Sequence, residues 1–271
     1  MPLDESFSDV SGVSSNSFSD RRIYEVKSFD DLKSRDVFEG FWNIYSRIPA
    51  NERLSFDVLK DRVENLSGLL KNDRYHLIVL EENGHILGYS AGRWLSNIDT
   101  GFVAFLGTDA SKENKGIGTL VRDKLIETYQ KDSMAFGRSL NAVVGEIDYG
   151  NTPYLTRLAK RNDISFLDLT YTQGAYDDME SGILFNLYLQ VLDDAKMYNA
   201  QKMFKSVDVV LPDKTLMKRY AVSKDYSTDL IKTLYEKIYK TTSSPELAVA
   251  LDSIKKYDDY VFPRFPLMKH Q

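Results

Sequence analysis

The sequence predicts an α/β (α+β) fold with a mixed, mostly antiparallel central sheet, flanking helices and a C-terminal helical extension. Three observations support this prediction. Apolar runs over 75–80 and 85–94 flank Asn83-Gly84, a dipeptide that supplies the positive φ angles of a type I′ hairpin turn. Residues 101–131 read as a buried strand, a polar loop and a helix. Another strand follows over 140–149, and this alternation places it parallel to the strand before the helix.

Composition places the chain among ordinary soluble globular proteins and excludes several kinds of site. The 271 residues are 42% hydrophobic and 28% charged. A net charge of −5 and a pI near 5.4 leave no surplus of basic residues, so we expect neither nucleic acid nor an anionic membrane as a partner. Zero cysteines exclude disulfides, cysteine-bound zinc and thiol nucleophiles. The three histidines fall in no zinc or serine-hydrolase motif, so we expect no metal.

The ends of the chain differ from its middle. Residues 1–20 contain seven serines among acidic residues, which predicts a disordered tail. Residues 21–192 hold the predicted strands and are expected to form one domain, followed by a helical extension over 193–271. Neither a cationic start with an apolar core nor an 18-residue apolar run occurs, so we expect a cytoplasmic protein.

The elements before the hairpin are a strand and two helices. Residues 22–26 alternate as a first strand would, and helical patterns follow from about Phe29 and over 56–66. Four aromatic residues form an apolar stripe on the first helical region: Phe38, Phe41, Trp42 and Tyr45. Such a stripe is most simply part of the core.

The elements after residue 149 are predicted from spacing alone. They are a helix over 152–161 and two last strands over 164–171 and 182–189. In the extension, Leu230, Leu234 and Ile238 share one helical face. Ser244-Pro245 is a helix start, because serine can cap the helix and proline suits its first position.

The loop over 109–118 joins a buried strand to the first turn of a helix, where backbone N–H groups have no intrahelical partner. Such a turn can hold a phosphate group, and Gly116 and Gly118 would let the ligand approach the backbone. Lys112 and Lys115 add positive charge. The alternative is that the two glycines serve only the geometry of the loop. A Walker A motif is absent, and Val121 replaces the third glycine of a dinucleotide-binding motif.

The strand, loop and helix together resemble motif A of the GNAT N-acyltransferases, which use acyl-CoA. Residues 108–110 take the place of the family's Val-x-Pro segment, and residues 113–118 take that of its [Gln/Arg]-x-x-Gly-x-[Gly/Ala] loop. Glu113 departs from the pattern, which has Gln or Arg there. The resemblance covers about residues 22–192 and implies acetyl-CoA as co-substrate, held between strands 101–108 and 140–149. The implied binding residues are Leu106, Thr108, Glu113, Asn114, Lys115, Gly116, Ile117, Gly118, Thr119 and Asn151.

The reaction implied by the resemblance is attack of an amine on a thioester, which needs a base, an oxyanion donor and an acid. Glu146 is the candidate base, and a main-chain N–H between Leu106 and Thr108 is the candidate oxyanion donor. Glu146 has a plain alternative, a strand residue that faces solvent. The tyrosine that many family members use as the acid is absent, and Tyr154 and Tyr149 are the candidate substitutes. Either could equally be structural, since the chain contains 17 tyrosines.

The resemblance therefore implies an N-acetyltransferase whose acceptor is a primary amine on a small molecule or peptide. Two other classes stay open. One is a non-catalytic protein that binds CoA or an acyl-carrier phosphopantetheine, and the other is a scaffold without affinity for CoA. The helices after the first strand form one wall of the acceptor site in this family, so their aromatic residues could influence substrate choice. The extension is expected to pack on the core or on another subunit, which leaves a homodimer open.

Overall fold

The computed structural model describes residues 20–64, 74–112, 115–161, 163–172, 184–192, 202–211 and 214–266. The strands are β1 (Arg21–Glu25), β2 (Tyr75–Glu82), β3 (His85–Leu95), β4 (Thr100–Thr108), β5 (Ala142–Asp148), β6 (Ile164–Leu167), β7 (Tyr171–Thr172), β8 (Leu184–Val191), β9 (Phe204–Val210), β10 (Leu216–Ser223), β11 (Tyr260–Val261) and β12 (Pro263–Arg264). The helices are α1 (Phe29–Ser34), α2 (Phe38–Tyr45), α3 (Phe56–Glu64), α4 (Ile117–Ala135), α5 (Thr152–Ala159), α6 (Lys224–Lys237) and α7 (Pro245–Lys255). Each helix within these ranges is too short or too polar to cross a lipid bilayer. Except for Asp20, the predicted disordered tail lies outside the described residues.

The main sheet has the strand order β1-β2-β3-β4-β5-β8-β6-β12, with β7 also paired to β8. Among the described strands, β4 and β5 form a parallel pair and the other pairs of this sheet are antiparallel. The predicted mixed, mostly antiparallel sheet is thus confirmed. The β2–β3 hairpin turns at Asn83 and Gly84, whose φ angles of 51° and 76° are those that a type I′ turn needs.

Helices cover both faces of the main sheet. On one face α4 buries Ile117, Val121 and Leu125 against the sheet, as its helical spacing predicts. On the other face α1, α2, α3, α6 and α7 bury a larger core that includes the four predicted aromatic residues, of which Phe41 and Tyr45 are fully buried. A third, smaller cluster includes Leu155 of α5 and Ile164 of β6. Buried apolar side chains therefore cover both faces of the sheet.

Two expectations about secondary structure are wrong in part. The described part of the extension contains the two predicted helices, α6 and α7, and also an unpredicted hairpin, β9–β10, which forms a three-stranded sheet with β11. Tertiary contacts support this hairpin: the Tyr220 backbone N–H donates to Ser165 Oγ of β6 at 2.8 Å. The strand predicted over 164–171 is divided in two, because Asp168 turns away to pair with Lys256 and Arg264.

A buried histidine connects the first strand pair to α4. His76 on β2 is 1% exposed, and its two ring nitrogens lie 2.7 Å from Glu25 Oε1 and 2.7 Å from Asp132 Oδ2. Burial by itself would lower the pKa of His76, but the hydrogen bonds to Asp132 and Glu25 raise it above 6.5. Burial opposes the shift at Glu25 as well, yet hydrogen bonds from His76 and Lys27 lower the pKa of Glu25 to about 2.

These shifts predict how stability depends on pH. A histidine whose pKa is raised by folding stabilises the protein below its unfolded pKa, and this contribution is lost as the pH rises through the folded-state value. We expect the free energy of unfolding of the wild type to exceed that of His76→Gln most near pH 6. The difference should shrink towards alkaline pH, at most by about 1.4 kcal/mol per pH unit. Urea unfolding of both proteins between pH 5 and pH 9 measures it, and a difference that grows with pH would contradict the assignment.

Candidate active site

The central opening of the sheet lies where β4 and β5 separate. These strands pair only through Thr100–Val103 and Ala142–Gly145, although both continue for several residues. On its other edge β4 has a bulge, since Ala91 pairs with Phe105 but Gly92 pairs with Val103. Bulges bend and twist a strand, which helps β4 to turn away from β5. The two strands thus diverge towards their C-terminal ends and leave a gap in the middle of the sheet.

A cleft with a volume of about 960 Å³ occupies this gap. On one face of the sheet it is bordered by the start of α4 and by α5, through residues such as Gly118 and Tyr154. On the opposite face it is bordered by the end of α2 and the turn that follows, through Ile44, Arg47 and Pro49. The cleft therefore crosses the sheet and joins two separate entrances.

The start of α4 is left free to bind an anion. Gly116 is the N-cap residue, with φ of 76°, so the chain enters the helix through a left-handed conformation that glycine adopts without strain. A glycine has no side chain to cap the N–H groups of the first turn. Gly116, Ile117, Gly118 and Thr119 all line the cleft. The dipole of the 19-residue helix and its free N–H groups therefore face the cleft.

Packing inside the protein does not explain why residue 118 is glycine. A Cβ atom placed there would meet the nearest atoms, Thr108 Cγ2 and Leu106 Cδ2, at 3.6 and 3.7 Å, which are ordinary contacts. Residue 118 also lies inside a helix, where alanine is more stable than glycine by about 0.5–1 kcal/mol. The absence of a side chain is instead suited to a ligand that approaches the backbone closely.

Glu146 lies on β5 where the cleft crosses the sheet. Its carboxylate oxygen Oε1 accepts hydrogen bonds from the hydroxyls of Tyr171 and Tyr239, the latter at 2.6 Å. Its Oε2 atom makes no hydrogen bond to any residue that the structure describes, and the side chain lines the cleft. One oxygen is thus held by the protein while the other is available to a bound molecule.

The environment of Glu146 suits a base that works near neutral pH. Burial raises the pKa of Glu146 to about 7, although the hydrogen bonds from Tyr171 and Tyr239 favour the charged form and oppose the rise. Part of the residue remains open to the cleft, so the carboxylate can exchange protons with a ligand. A carboxylate with this pKa is half-deprotonated at pH 7 and can accept a proton efficiently there.

Residues 35–149 match the sequence model of the acetyltransferase (GNAT) family. The chain contains a GNAT acetyltransferase domain. The match includes β2, β3, β4, α4 and β5, so the diverging strands, the loop before α4 and Glu146 all lie within the matched part of the GNAT domain. No curated protein sequence matches the chain.

Solved structures similar to this chain include several acetyltransferases. The ribosomal-protein-S18-alanine N-acetyltransferase from Escherichia coli is 13% identical, with a TM-score of 0.44 over 63% of this chain and 93% of that one. An N-acetyltransferase from Staphylococcus aureus Mu50 is 21% identical, with a TM-score of 0.42 over 64% and 99%. N-acetylglutamate synthase from Neisseria gonorrhoeae, complexed with coenzyme A and N-acetyl-glutamate, is 11% identical, with a TM-score of 0.39 over 63% and 35%.

Most residues predicted to bind the co-substrate border the cleft of the GNAT domain. They are Leu106, Thr108, Gly116, Ile117, Gly118, Thr119 and Asn151. Lys115 is exposed outside the cleft lining, whereas Lys112 is part of it. Glu113 and Asn114 lie outside the described residues. Asn151 is the N-cap of α5, but its side chain makes no capping hydrogen bond, which leaves its amide able to bind a ligand.

The two candidate acids occupy different positions relative to the cleft. Tyr154 on α5 lines the cleft, while Tyr149 does not, although Asp148 and Gly150 on either side of it do. Burial raises the pKa of Tyr154 above its usual range, so its hydroxyl stays protonated at neutral pH. Of the two tyrosines, Tyr154 is therefore the one that the structure brings to the cleft together with Glu146.

Basic residues in the cleft were missed by the sequence analysis. Arg122 on α4 is 2% exposed, donates to Gln190 Oε1, and has an Nε group without a hydrogen-bond partner among the described residues. Further cations line the cleft at Arg47, Arg157 and Arg161, in addition to Lys112, which the sequence had already indicated. Arg122 lies one helical turn after Gly118, on the helix face that carries the apolar stripe. A basic residue at that position of the sequence indicates a charge that faces the interior near the loop.

The hydroxyl donors to Glu146 were also missed. Tyr171 follows β6, and Tyr239 follows α6 in the extension, so neither belongs to a local motif with Glu146. No sequence signal points to either, because these hydrogen bonds join residues that are far apart in the chain.

Proposed function

We propose that this protein is an acyl-CoA-dependent N-acyltransferase, which transfers acetyl from acetyl-CoA to a primary amine of a small molecule or peptide. The observation that carries the proposal is the cleft through the sheet. The cleft begins at the uncapped N-terminus of α4 on one face of the sheet. It passes the carboxylate oxygen of Glu146 that accepts no hydrogen bond from the described residues, and it reaches a second entrance on the other face. We further propose that the transferase domain spans about residues 21–192, since β1, β6, β7 and β8 belong to the same sheet as the strands of the matched region.

The residues around the α4 entrance fit the charged half of acyl-CoA. The N–H groups that follow Gly116 would hold the pyrophosphate, and Lys112 and Arg122 supply positive charge nearby. The gap between β4 and β5 is bordered by backbone of β4 that has no strand partner on the β5 side beyond Val103. This backbone can pair with the amides of pantetheine. Acyl-CoA supplies an activated thioester carbonyl at the end of that arm.

Glu146 would accept the proton that the acceptor amine must lose. The amine nitrogen attacks the thioester carbonyl carbon, a C–N bond forms, and the C–S bond then breaks. Backbone N–H groups between Leu106 and Thr108 would stabilise the negative charge that develops on the carbonyl oxygen. The leaving thiolate needs one proton, and Tyr154 is the residue we assign to provide it.

Titration calorimetry with acetyl-CoA and an acceptor-dependent assay test this proposal together. We expect saturable binding of acetyl-CoA, a higher melting temperature in its presence, and release of free CoA thiol when a suitable amine from a broad panel is added. A ligand at ~100 times its Kd stabilises the folded protein by about 2.7 kcal/mol, which a thermal scan detects. Binding without CoA release for any amine would instead support the non-catalytic binding protein. No binding at millimolar acetyl-CoA would overturn the acetyl-CoA-dependent enzyme and leave a carrier-protein donor or a scaffold role.

A further inference from the structure

The extension contributes a side chain to the centre of the candidate site. Tyr239 is 5% exposed and its hydroxyl donates to Glu146 Oε1 at 2.6 Å. The hydroxyl of Tyr171 donates to the same oxygen, and the two hydroxyls lie 3.4 Å apart. Three groups therefore meet at one point. Tyr171 and Tyr239 both come from outside the region that matches the acetyltransferase family, and Tyr239 belongs to the extension.

The position of Tyr239 is fixed by the way α6 packs and ends. Leu230, Ile231 and Leu234 are fully buried and hold α6 against the core. The helix ends just before Tyr239, where Lys240 adopts φ of 52° and the Thr241 N–H donates to the Tyr235 carbonyl at 3.0 Å. This turn directs Tyr239 back towards the sheet.

Tyr235, a tyrosine on α6, packs against Tyr171 and Tyr239 without contacting Glu146. The ring of Tyr235 packs edge-on against those of Tyr171 and Tyr239, with centroids 6.0 and 5.4 Å apart. Its hydroxyl donates to the backbone carbonyl of Thr172. Tyr235 is thus a natural control, because it shares the cluster and the burial of Tyr239 but not the hydrogen bond to the carboxylate.

We propose that Tyr239 is a positioning residue, which holds the Glu146 carboxylate with Oε2 towards the cleft and sets the pH range in which Glu146 accepts a proton. This inference rests on the proposed role of Glu146 as the base. It assigns the extension a part in the chemistry, whereas the sequence predicts only packing for it.

The groups that act on Glu146 can be named element by element. Tyr171 reaches it from β7 and Tyr239 from the segment after α6, and these hydroxyls favour its charged form. Tyr235 on α6 and Glu246 on α7 lie one layer further, and the charges of Glu146 and Glu246 both act on Tyr235. Charged residues also line the cleft. Asp148 lies on the same strand as Glu146, and Arg47 and Glu52 follow α2. Burial raises the pKa of Glu146, and the hydrogen bonds from the two hydroxyls lower it.

Removal of one hydroxyl should make the charged form of Glu146 less stable and raise its pKa. The test is the titration of the Glu146 side-chain carboxyl by ¹³C NMR in the full-length wild type, Tyr239→Phe and Tyr235→Phe, with the signal assigned from Glu146→Gln. In Tyr239→Phe we expect the midpoint to move up by about one pH unit, because a hydrogen bond to a charged group contributes that much. In Tyr235→Phe the midpoint should stay at the wild-type value.

The same variants give a kinetic readout once an acceptor is known. The acidic limb of kcat/KM against pH should shift upwards in Tyr239→Phe and remain in place in Tyr235→Phe. An unchanged Glu146 titration in Tyr239→Phe, or an equal shift in both variants, would overturn the inference. Since the NMR titration needs no turnover, it can succeed even where the wild type releases no CoA, so failure of the proposed function would be seen separately.

Discussion

Replacement of Glu146 by glutamine is expected to lower kcat by about 10²–10⁴-fold, the usual contribution of a general base, while acetyl-CoA still binds. The amide has the same shape and can still accept hydrogen bonds from Tyr171 and Tyr239. It cannot accept a proton from the amine. In the wild type, kcat/KM should fall as the pH drops below about 7, because protonation removes the base. In the variant this limb should disappear.

Stability provides the control for this substitution. The pKa of Glu146 is raised from 4.5 to about 7 by folding, so the charged carboxylate destabilises the folded state increasingly as the pH rises from 4.5 to 7. Glu146→Gln should therefore be at least as stable as the wild type at pH 8, as measured by urea unfolding. An inactive variant that is stable and binds acetyl-CoA supports the base. A variant with wild-type kcat would contradict it.

Replacement of Gly118 by alanine is expected to weaken acetyl-CoA binding by about tenfold or more while the fold stays intact. The added methyl group meets only ordinary contacts inside the protein, at 3.6 Å or more, so it projects at the surface that the phosphates would approach. Overpacking of this kind costs ~1–3 kcal/mol. Titration calorimetry with acetyl-CoA measures the loss.

Gly40 supplies a matched control for Gly118. It lies in α2, and a Cβ atom there would meet Ile86 at 3.7 Å, again an ordinary contact. Both Gly40→Ala and Gly118→Ala should be as stable as the wild type or more so, because alanine favours helix over glycine by about 0.5–1 kcal/mol. Only Gly118→Ala should lose affinity. Equal affinity in the two variants would show that the loop before α4 does not hold the ligand.

The parts of the fold that the sequence predicts are those determined by neighbouring residues. The hairpin follows from Asn83-Gly84, which supplies two positive φ angles at adjacent positions. The strand, loop and helix over 101–131 follow from a change of apolar period across the loop, and Glu146 follows from its place on the next strand. Each of these signals lies within one short continuous stretch of chain.

The parts that the sequence does not predict depend on distant contacts. The hydroxyls of Tyr171 and Tyr239 reach Glu146 only after α6 has packed on the sheet. The β9–β10 hairpin was missed for a different reason. Within β9 only Phe204 is buried, so the strand has a weak apolar alternation, and its pairing with β10 maintains it. A pattern search cannot detect a strand whose stability comes from its partner.

The pairing of β12 with β6 has a consequence for synthesis of the protein on the ribosome. Residues Phe166 and Leu167 pair with Arg264 and Pro263, which emerge from the ribosome long after β6 itself. Until then the growing chain presents the outer side of β6 as an open sheet edge, a surface on which another unfinished chain can add a strand. The segment that closes this edge therefore arrives only after Tyr239 has been supplied to the centre of the sheet.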